Sequence, residues 1–554
     1  MLLSQVKQAA PPSRRSARVG FVLLIALIAL VAGGKAVLFD TIDPDCFWHM
    51  RVAEQLRAEG IGPIVDRLSF ASIQSPWTPY SWLAELGMAW LWNHAGWRST
   101  ILVQALMQAA FVALIAWSCR TGFTRRDRAT REGEGAMPFD SAEGWRSSRY
   151  ANAFGENLTF PSALCCAIAT AFAAFLSLPY LSFRPVTGAL LLLALCAGLL
   201  VRDRRLGERT LSVWLIAPIT AVIVNLHLYA FFVPIWVTAL LAGALWESRR
   251  SAFNRPEAER RVERYGYLMI ATIVACLLTP MLPGVIGSAL HYQYTDPMVN
   301  STFIAEMQPF WHGTMGGVSA VLVVVFAVCV LINRDRMRAG EWLWIAMSAV
   351  LLFRLGRFSA MFAIVAAPMF AMTLPQLKDR LLSKPPVWAA MAIVLVLGII
   401  RLSGSFPSSN VTLAAWLNRQ GPQAPGYPCD AAEYVINDVR PVSGHVVNEF
   451  RWGGYLEWKL PSGYQTLLDG RTQLFTPDFW RVTYLGSETE RKHFLSRVQA
   501  DAAILPTNGS KFHDTLADLG WRTAFRDERS EVMLPPTPPD PSNRWAPAAM
   551  ILGD

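Results

Sequence analysis

The sequence predicts a polytopic α-helical membrane protein with a water-soluble α/β domain at its C-terminal end. Three observations carry that prediction. Of the 554 residues, 53% are hydrophobic and only 16% charged, and several apolar runs approach the roughly 20 residues a helix needs to cross a bilayer. Lys and Arg concentrate in alternate connections between those runs, the pattern expected of cytoplasmic loops. Beyond about residue 403 the apolar runs stop, and strand and helix signals alternate instead. The basic loops also account for the formal net charge of +9. No basic run is interleaved with aromatics as a base-stacking surface would be, so nucleic acid is not an expected partner.

Arg14, Arg15 and Arg18 hold residues 1–18 in the cytoplasm and send a first helix, about 19–39, outward. Its length, and the polar cluster directly after it, favour an uncleaved span over a signal peptide. An outer loop, 40–97, follows. Within it, 46–60 reads as a short amphipathic helix, with Phe47, Met50, Val52, Ala53 and Leu56 against His49, Arg51, Glu54, Gln55 and Arg57. Residues 81–95 are apolar but short, contain Glu85 and lie among Trp77, Trp82, Trp90, Trp92 and Trp97, which suits a helix lying in the bilayer interface. Were this segment a span, the next helix would carry Arg120, Arg125, Arg126, Arg128 and Arg131 to the outside.

Further spans are expected near 99–118, 159–178, 185–201, 211–225, 228–246, 266–283, 316–332, 341–355, 358–374 and 387–402, about 11 in all. The connections assigned to the cytoplasm are basic: Arg202 to Arg205, Arg249 to Arg264, Arg334 to Arg338 and Lys378 to Lys384. The outer connection 280–314 is long and proline-rich, as a lid or re-entrant segment would be. The membrane domain thus runs over 19–402, with the N-terminus inside. Residues 403–534 form the extracytoplasmic α/β domain, with strands near 444–450, 465–471 and 500–506 and a helix from Lys511 that stops at Gly520. Residues 535–554 are expected to be a disordered tail. Six of the eight cysteines sit in or at apolar segments as packing residues; Cys46 and Cys429 both fall outside the membrane, and sequence alone leaves open whether they pair.

The chemistry concentrates after the first helix. Asp40, Asp43 and Asp45 lie within six residues, followed by His49 and Arg51. One aspartate there suits a helix cap. Three, with a histidine and an arginine, point to a site in which Asp45, Asp43 and His49 are the catalytic candidates and Arg51 a substrate contact. A carboxylate can deprotonate an acceptor hydroxyl or amine. Alternatively Asp43 and Asp45 bind a divalent cation, which the Asp-Pro-Asp spacing permits without requiring. Arg184, at a short outer turn, is either a snorkelling charge or a fork for a lipid phosphate. Arg354 and Arg357 break the positive-inside pattern and need an outer anionic partner, either a carrier phosphate or an acid such as Asp43 or Glu85. Asn225 and His227 at another outer turn either satisfy each other or line a sugar or acceptor pocket. Glu85 and Glu306 complete the substrate-binding candidates, and His291 and Asp296 share the long loop with Glu306.

The order of these features resembles the GT-C superfamily of integral-membrane glycosyltransferases, among them the protein mannosyltransferases and the lipid A aminoarabinose transferases. The shared features are a first helix, an acidic outer loop (Asp43-Pro-Asp-Cys-Phe-Trp-His-Met-Arg-Val-Ala), an interface segment (Pro79-Tyr-Ser-Trp-Leu-Ala-Glu-Leu) and a basic cytoplasmic loop. The chain is similar in particular to a bacterial branch with an Asp-Pro-Asp-x-x-Trp-His-x-Arg motif, an Asn-x-His pair, and distal Trp-Gly-Gly-Tyr-Leu and Asp-Gly-Arg. Here those are Asn225-Leu-His227, Trp452-Gly-Gly-Tyr-Leu456 and Asp469-Gly-Arg471, and the resemblance covers nearly the whole chain. It implies transfer of a sugar from a polyprenyl-phosphate carrier to a glycan, lipid or protein acceptor at the outer face of a bacterial inner membrane. It places the catalytic aspartate at Asp45, eight residues before Ala53. Many members carry a second acid directly after that aspartate; this chain has Cys46, with the acidity upstream at Asp43.

Two other classes compete with the enzyme. A lipid or polysaccharide transporter or flippase predicts inverted repeats and ionisable residues at mid-membrane depth. The sequence shows no internal repeat, and its charges gather at helix ends. A non-catalytic membrane assembly protein on a GT-C scaffold would look alike in sequence.

Overall fold

The computed structural model describes residues 14–38, 42–122, 160–250, 255–301, 303–313, 315–375, 412–439 and 442–539. Among the described residues up to Thr373 the α-helices are α1 (Arg14–Leu38), α2 (Asp45–Glu59), α3 (Trp82–Ala95), α4 (Trp97–Gly122), α5 (Phe160–Ser177), α6 (Pro185–Arg205), α7 (Ile216–Leu226), α8 (Phe232–Arg250), α9 (Arg255–Cys276), α10 (Leu282–Leu290), α11 (Gly316–Ile332), α12 (Ala339–Arg354) and α13 (Ser359–Thr373).

The bundle is built around α13. Its sequence is apolar on every side, and all of its residues are buried against α4, α5, α6, α11 and α12. A helix that is hydrophobic all round can satisfy that surface only inside a core or in lipid. The outer helices face the other way. Val318, Val321, Val324, Val328 and Leu331 on α11, and Ile270, Ile273 and Val274 on α9, stand exposed. Exposed apolar bands of this kind mark a surface meant for something other than water. Among the described residues six segments are long and apolar enough to cross a membrane: Val19–Ala36, Trp97–Gly122, Pro161–Tyr180, Pro185–Arg205, Leu228–Arg249 and Gly356–Thr373. Two shorter apolar segments, Leu211–Leu226 and Gly316–Ile332, accompany them. This is a multi-pass membrane fold, although the expected count of about 11 spans is not established by it. The expected span at 387–402 lies outside the described residues, as do Asp40 and most of the expected tail.

Two expectations change in detail. The expected span 266–283 belongs to a helix that starts at Arg255, so much of the expected basic loop is helical. Its charges are also paired. At the end of the bundle away from α2, Asp203 takes Arg264 at 2.8 Å, Glu341 takes Arg205 at 2.6 Å, and Glu208 takes Arg338 at 2.5 Å and Arg261 at 3.3 Å. The second change is in α2. Trp48 and His49 are buried together with its apolar face, so the helix has no free polar side through its first turns. The reason is that other elements cover it on several sides: α3 packs on one face and the helix Gly453–Lys459 on another.

The C-terminal part is a five-stranded mixed sheet of order β2-β1-β3-β5-β4: β1 (Ser443–Asn448), β2 (Gly463–Thr466), β3 (Ala502–Pro506), β4 (Arg522–Arg526) and β5 (Ser530–Leu534). β2, β1 and β3 are parallel, and β5 runs antiparallel to β3 and β4. The crossovers carry α14 (Gly453–Lys459) and α15 (Glu488–Arg497). The sheet does not stand apart from the bundle. The loop after α2 adds to the β2 edge, with Phe70 N donating to Thr466 O at 3.1 Å and Thr466 N to Leu68 O at 2.9 Å. One apolar cluster joins Ile42, Phe47 and Met50 to Tyr427, Trp452 and Tyr455.

Candidate active site

Asp45 is the first residue of α2, and its backbone N–H donates to Asp43 Oδ1 at 3.1 Å. The Asp-Pro-Asp turn therefore fixes both carboxylates on one side of the helix start. Arg184, held in extended backbone just before α6, reaches them from the bundle. Its Nε lies 2.5 Å from Asp43 Oδ2 and its Nη2 3.2 Å from Asp45 Oδ2. The remaining Nη1 faces Glu306 Oε2 at 3.8 Å, and Glu306 Oε1 in turn lies 3.9 Å from Arg357 Nη2. Arg357 sits in the turn before α13 and also reaches the Tyr229 hydroxyl. Four segments distant in sequence thus converge. Three carboxylates meet two guanidinium groups, which leaves one formal negative charge when all are ionised. Burial pushes the Asp45 carboxyl up to about 6; Arg184 opposes this, and Asp43 and Glu306 add to it. A carboxylate in that range is a better base at neutral pH than an exposed aspartate.

The sheet domain closes on this centre through glycines. A Cβ on Gly470 would collide with Asp45 Oδ1, and one on Gly454 would stand 2.8 Å from Pro44 O and 2.9 Å from Trp48 Cδ1. Trp48 turns its indole N–H toward the same Asp45 carboxylate. Behind this layer Arg471 is wholly buried. It donates to Asp66 Oδ1 at 2.7 Å and to Asp469 at 2.6 and 2.9 Å, with Glu457 at 3.5 Å. Its guanidinium lies 5.8 Å from the rings of both Trp48 and Trp77. Burial and the neighbouring Asp469 raise Glu457 well above the usual carboxylate range, while Arg471 opposes them.

Other expected contacts lie elsewhere. His49 and Glu85 face each other, with Nδ1 and Oε1 3.0 Å apart and both residues buried. Burial holds His49 well below the ordinary imidazole range and pushes Glu85 up to about 8. The pair is therefore a net-neutral hydrogen bond joining α2 to α3, not an open catalytic group. Arg51 pairs with Glu54 at 2.7 Å, away from Asp45's partners. The Asn225 amide accepts from Trp82 Nε1 at 2.8 Å and donates to Ala221 O at 2.7 Å and Leu278 O at 2.9 Å, which ties helix ends together and leaves little for a substrate. Asn225 and His227 do not bond each other among the described contacts. His227 is buried beside Tyr229 and Tyr80, and burial with the Arg357 charge holds it down at about 3. Arg357 makes the ion pair with Glu306, whereas Arg354, three residues earlier, is exposed. Cys46 is fully buried in the apolar cluster, and both Cys46 and Cys429 are free thiols.

The long loop is anchored on its far side. Tyr292 OH donates to Gln473 at 2.8 Å, and Thr472 Oγ1 donates to Asp296 at 2.7 Å, so the segment that carries Glu306 is pinned to the sheet domain. Sequence reasoning did not single out Asp66 or Glu457, and it quoted Gly470 only as the middle residue of the Asp469-Gly-Arg471 motif. Among the described residues no group of three or more His, Cys, Asp or Glu is arranged to hold a metal ion. Between Asp43 and Asp45, where a divalent cation would sit, the cation is Arg184. These residues do not fit a metal centre.

No protein-family model and no curated protein sequence matches the chain. Solved structures do. The archaeal oligosaccharyltransferase AglB from Archaeoglobus fulgidus, in complex with an inhibitory peptide and a dolichol-phosphate, aligns at a TM-score of 0.53 and 10% identity, over 89% of this chain and 70% of that one. The Archaeoglobus fulgidus oligosaccharyltransferase in its apo form aligns at 0.50 and 10% identity, over 88% and 69%. ArnT from Cupriavidus metallidurans in the apo state aligns at 0.45 and 12% identity, over 93% and 98%. The likeness to the oligosaccharyltransferase structures is one of fold: this chain's helical membrane domain and C-terminal sheet domain align over most of its length.

Proposed function

We propose that this protein is a membrane glycosyltransferase that moves a sugar from a polyprenyl-phosphate carrier to an acceptor at the outer face of a bacterial cytoplasmic membrane. The observation that carries this reading is the convergence of Arg184, Arg357 and Asp45 at one end of an apolar bundle. The presence of a dolichol-phosphate in the similarly folded AglB supports it.

Asp45 accepts the proton of an acceptor hydroxyl or amine. The freed electron pair forms the new bond to the anomeric carbon, and the bond from that carbon to the carrier's phosphate oxygen breaks. The phosphate leaves with the electron pair, and guanidinium groups placed where that charge develops lower the barrier. A single displacement of this kind inverts the anomeric carbon. Asp43 holds Arg184 in register, and the C-terminal domain positions the acceptor. Arg184 and Arg357 supply the positive charge, so no step calls on a metal.

The test uses purified full-length protein and undecaprenyl phosphate, with binding read by native mass spectrometry. Arg357→Gln is expected to reduce binding at least tenfold, because a charge-assisted contact contributes about 1.5–3 kcal/mol. Binding by the variant equal to wild type would refute the donor site. In cells, Asp45→Asn is expected to abolish the glycoconjugate that depends on the wild-type gene.

A further inference from the structure

The Asp469-Gly470-Arg471 turn belongs to the sheet domain, yet its neighbours are residues of the Asp45 helix and its following loop. Thr472 N donates to Gly470 O at 3.0 Å and Arg471 N to Asp469 Oδ1 at 2.6 Å, so the turn is internally fixed. Its glycine lies against the Asp45 carboxylate so closely that any Cβ there would have to displace it. The displaced carboxylate would leave this seat toward its solvent-facing side, where 26% of the side chain is already exposed. Arg184 is on one side and Trp48, 3.2 Å from the same Cβ position, is on the other.

The arginine of the turn explains how that contact is held. Arg471 is buried with three acids, of which Asp66 alone comes from outside the sheet domain. Arg471 keeps its two-pronged contact with Asp469 inside the turn, so of the three acids it is Asp66 that ties it across the domain boundary, through an ion pair buried on both sides. Undocking the sheet domain would break that pair. Docking therefore brings Gly470 to Asp45 as a coupled event.

We propose that the Asp469-Gly470-Arg471 turn is a positioning element for Asp45: Gly470 seats the carboxylate, and the Arg471–Asp66 clasp keeps the turn in place. This rests on the reading of Asp45 as the general base. The sheet domain is then part of the reaction centre as well as an acceptor platform. It supplies the burial that keeps Asp45 basic near neutral pH, and the glycine is what allows the backbone to approach.

The test does not need the substrate. Water-soluble carbodiimide with glycine ethyl ester labels protonated, reachable carboxyl groups, and peptide mass spectrometry reads each site. In the full-length wild type, labelling of Asp45 should persist up to a midpoint of about pH 6. In Gly470→Ala, with the carboxylate pushed toward water, the midpoint should fall toward the ordinary value of about 4 and the rate at low pH should rise. Arg471→Lys, which keeps the charge but loses the fork, should shift the midpoint in the same direction. The exposed Asp478 serves as the unchanged control. A thermal unfolding midpoint close to wild type shows that the variants fold. If both variants fold and the Asp45 midpoint stays where it is in wild type, the proposal is overturned. An Asp45→Asn strain with normal glycoconjugates would instead overturn the enzyme reading while leaving the labelling result to stand.

Discussion

At the scale of single residues, the telling feature is a carboxylate kept costly. Burial raises Asp45 above its unfolded value of 3.8 to about 6, so the folded protein binds this proton more tightly than the unfolded chain does. Stability from this group is then greatest below about pH 4 and is lost as pH rises through 6. Asp45→Asn should accordingly unfold at a higher temperature than wild type at pH 7.5, by an amount that reflects about 1–3 kcal/mol, and the advantage should vanish near pH 4. Differential scanning fluorimetry at the two pH values checks it; an Asn variant less stable at pH 7.5 would mean that Arg184 needs the charge more than burial opposes it. Much of this centre was legible from sequence, because acids and arginines at the ends of apolar runs are conspicuous. Asp66 and Glu457 were not, and Gly470 stood out only as part of the Asp-Gly-Arg motif, since a loop acid or a glycine's contact with Asp45 appears only when long-range packing places it. His49 and Glu85 stood out for the converse reason: polar groups among apolar residues are conspicuous, and here the two face each other 3.0 Å apart.

At the scale of elements, periodicity and loop charge located the helices well. They erred where a charged stretch is helical, as at the start of α9, because the arginines there meet buried acids instead of water. The long loop from 280 to 314 was expected to be a lid, and its geometry gives that idea a specific form. Glu306 stands between Arg184 and Arg357 at 3.8 and 3.9 Å, too far for hydrogen bonds and where a phosphate would bridge the two. On the proposed donor reading it stands loosely in the phosphate's place and adds a negative charge there. Glu306→Gln removes that competitor, so undecaprenyl phosphate should bind the variant severalfold more tightly, an effect of about 1 kcal/mol. Weaker binding by the variant would instead make Glu306 a partner of the substrate.

At the scale of the whole molecule, composition suggested two separable parts, membrane and soluble, with a break near residue 403. The packing is otherwise. Phe47 of α2 stacks edge-on against both Tyr427 and Tyr455 at 5.4 Å, and the Tyr427 hydroxyl donates to Ile42 O. The buried Arg471 draws part of its charge balance from Asp66 on the other side of the boundary. Composition could not show this, because an interface built from α2 and a loop resembles any amphipathic surface in sequence. A chain cut after residue 411 would leave Phe47, Met50 and Trp48 facing water and Asp66 without its arginine. Each large side chain so exposed forfeits about 1.5–3 kcal/mol, enough in sum to unfold α2. The fragment 1–411 should therefore aggregate in detergent, or lose α2 to limited proteolysis, while co-expression with a separate 412–554 chain restores protection of the Asp45 segment. A stable, protease-resistant 1–411 fragment would show instead that the sheet domain merely rests on a finished membrane domain.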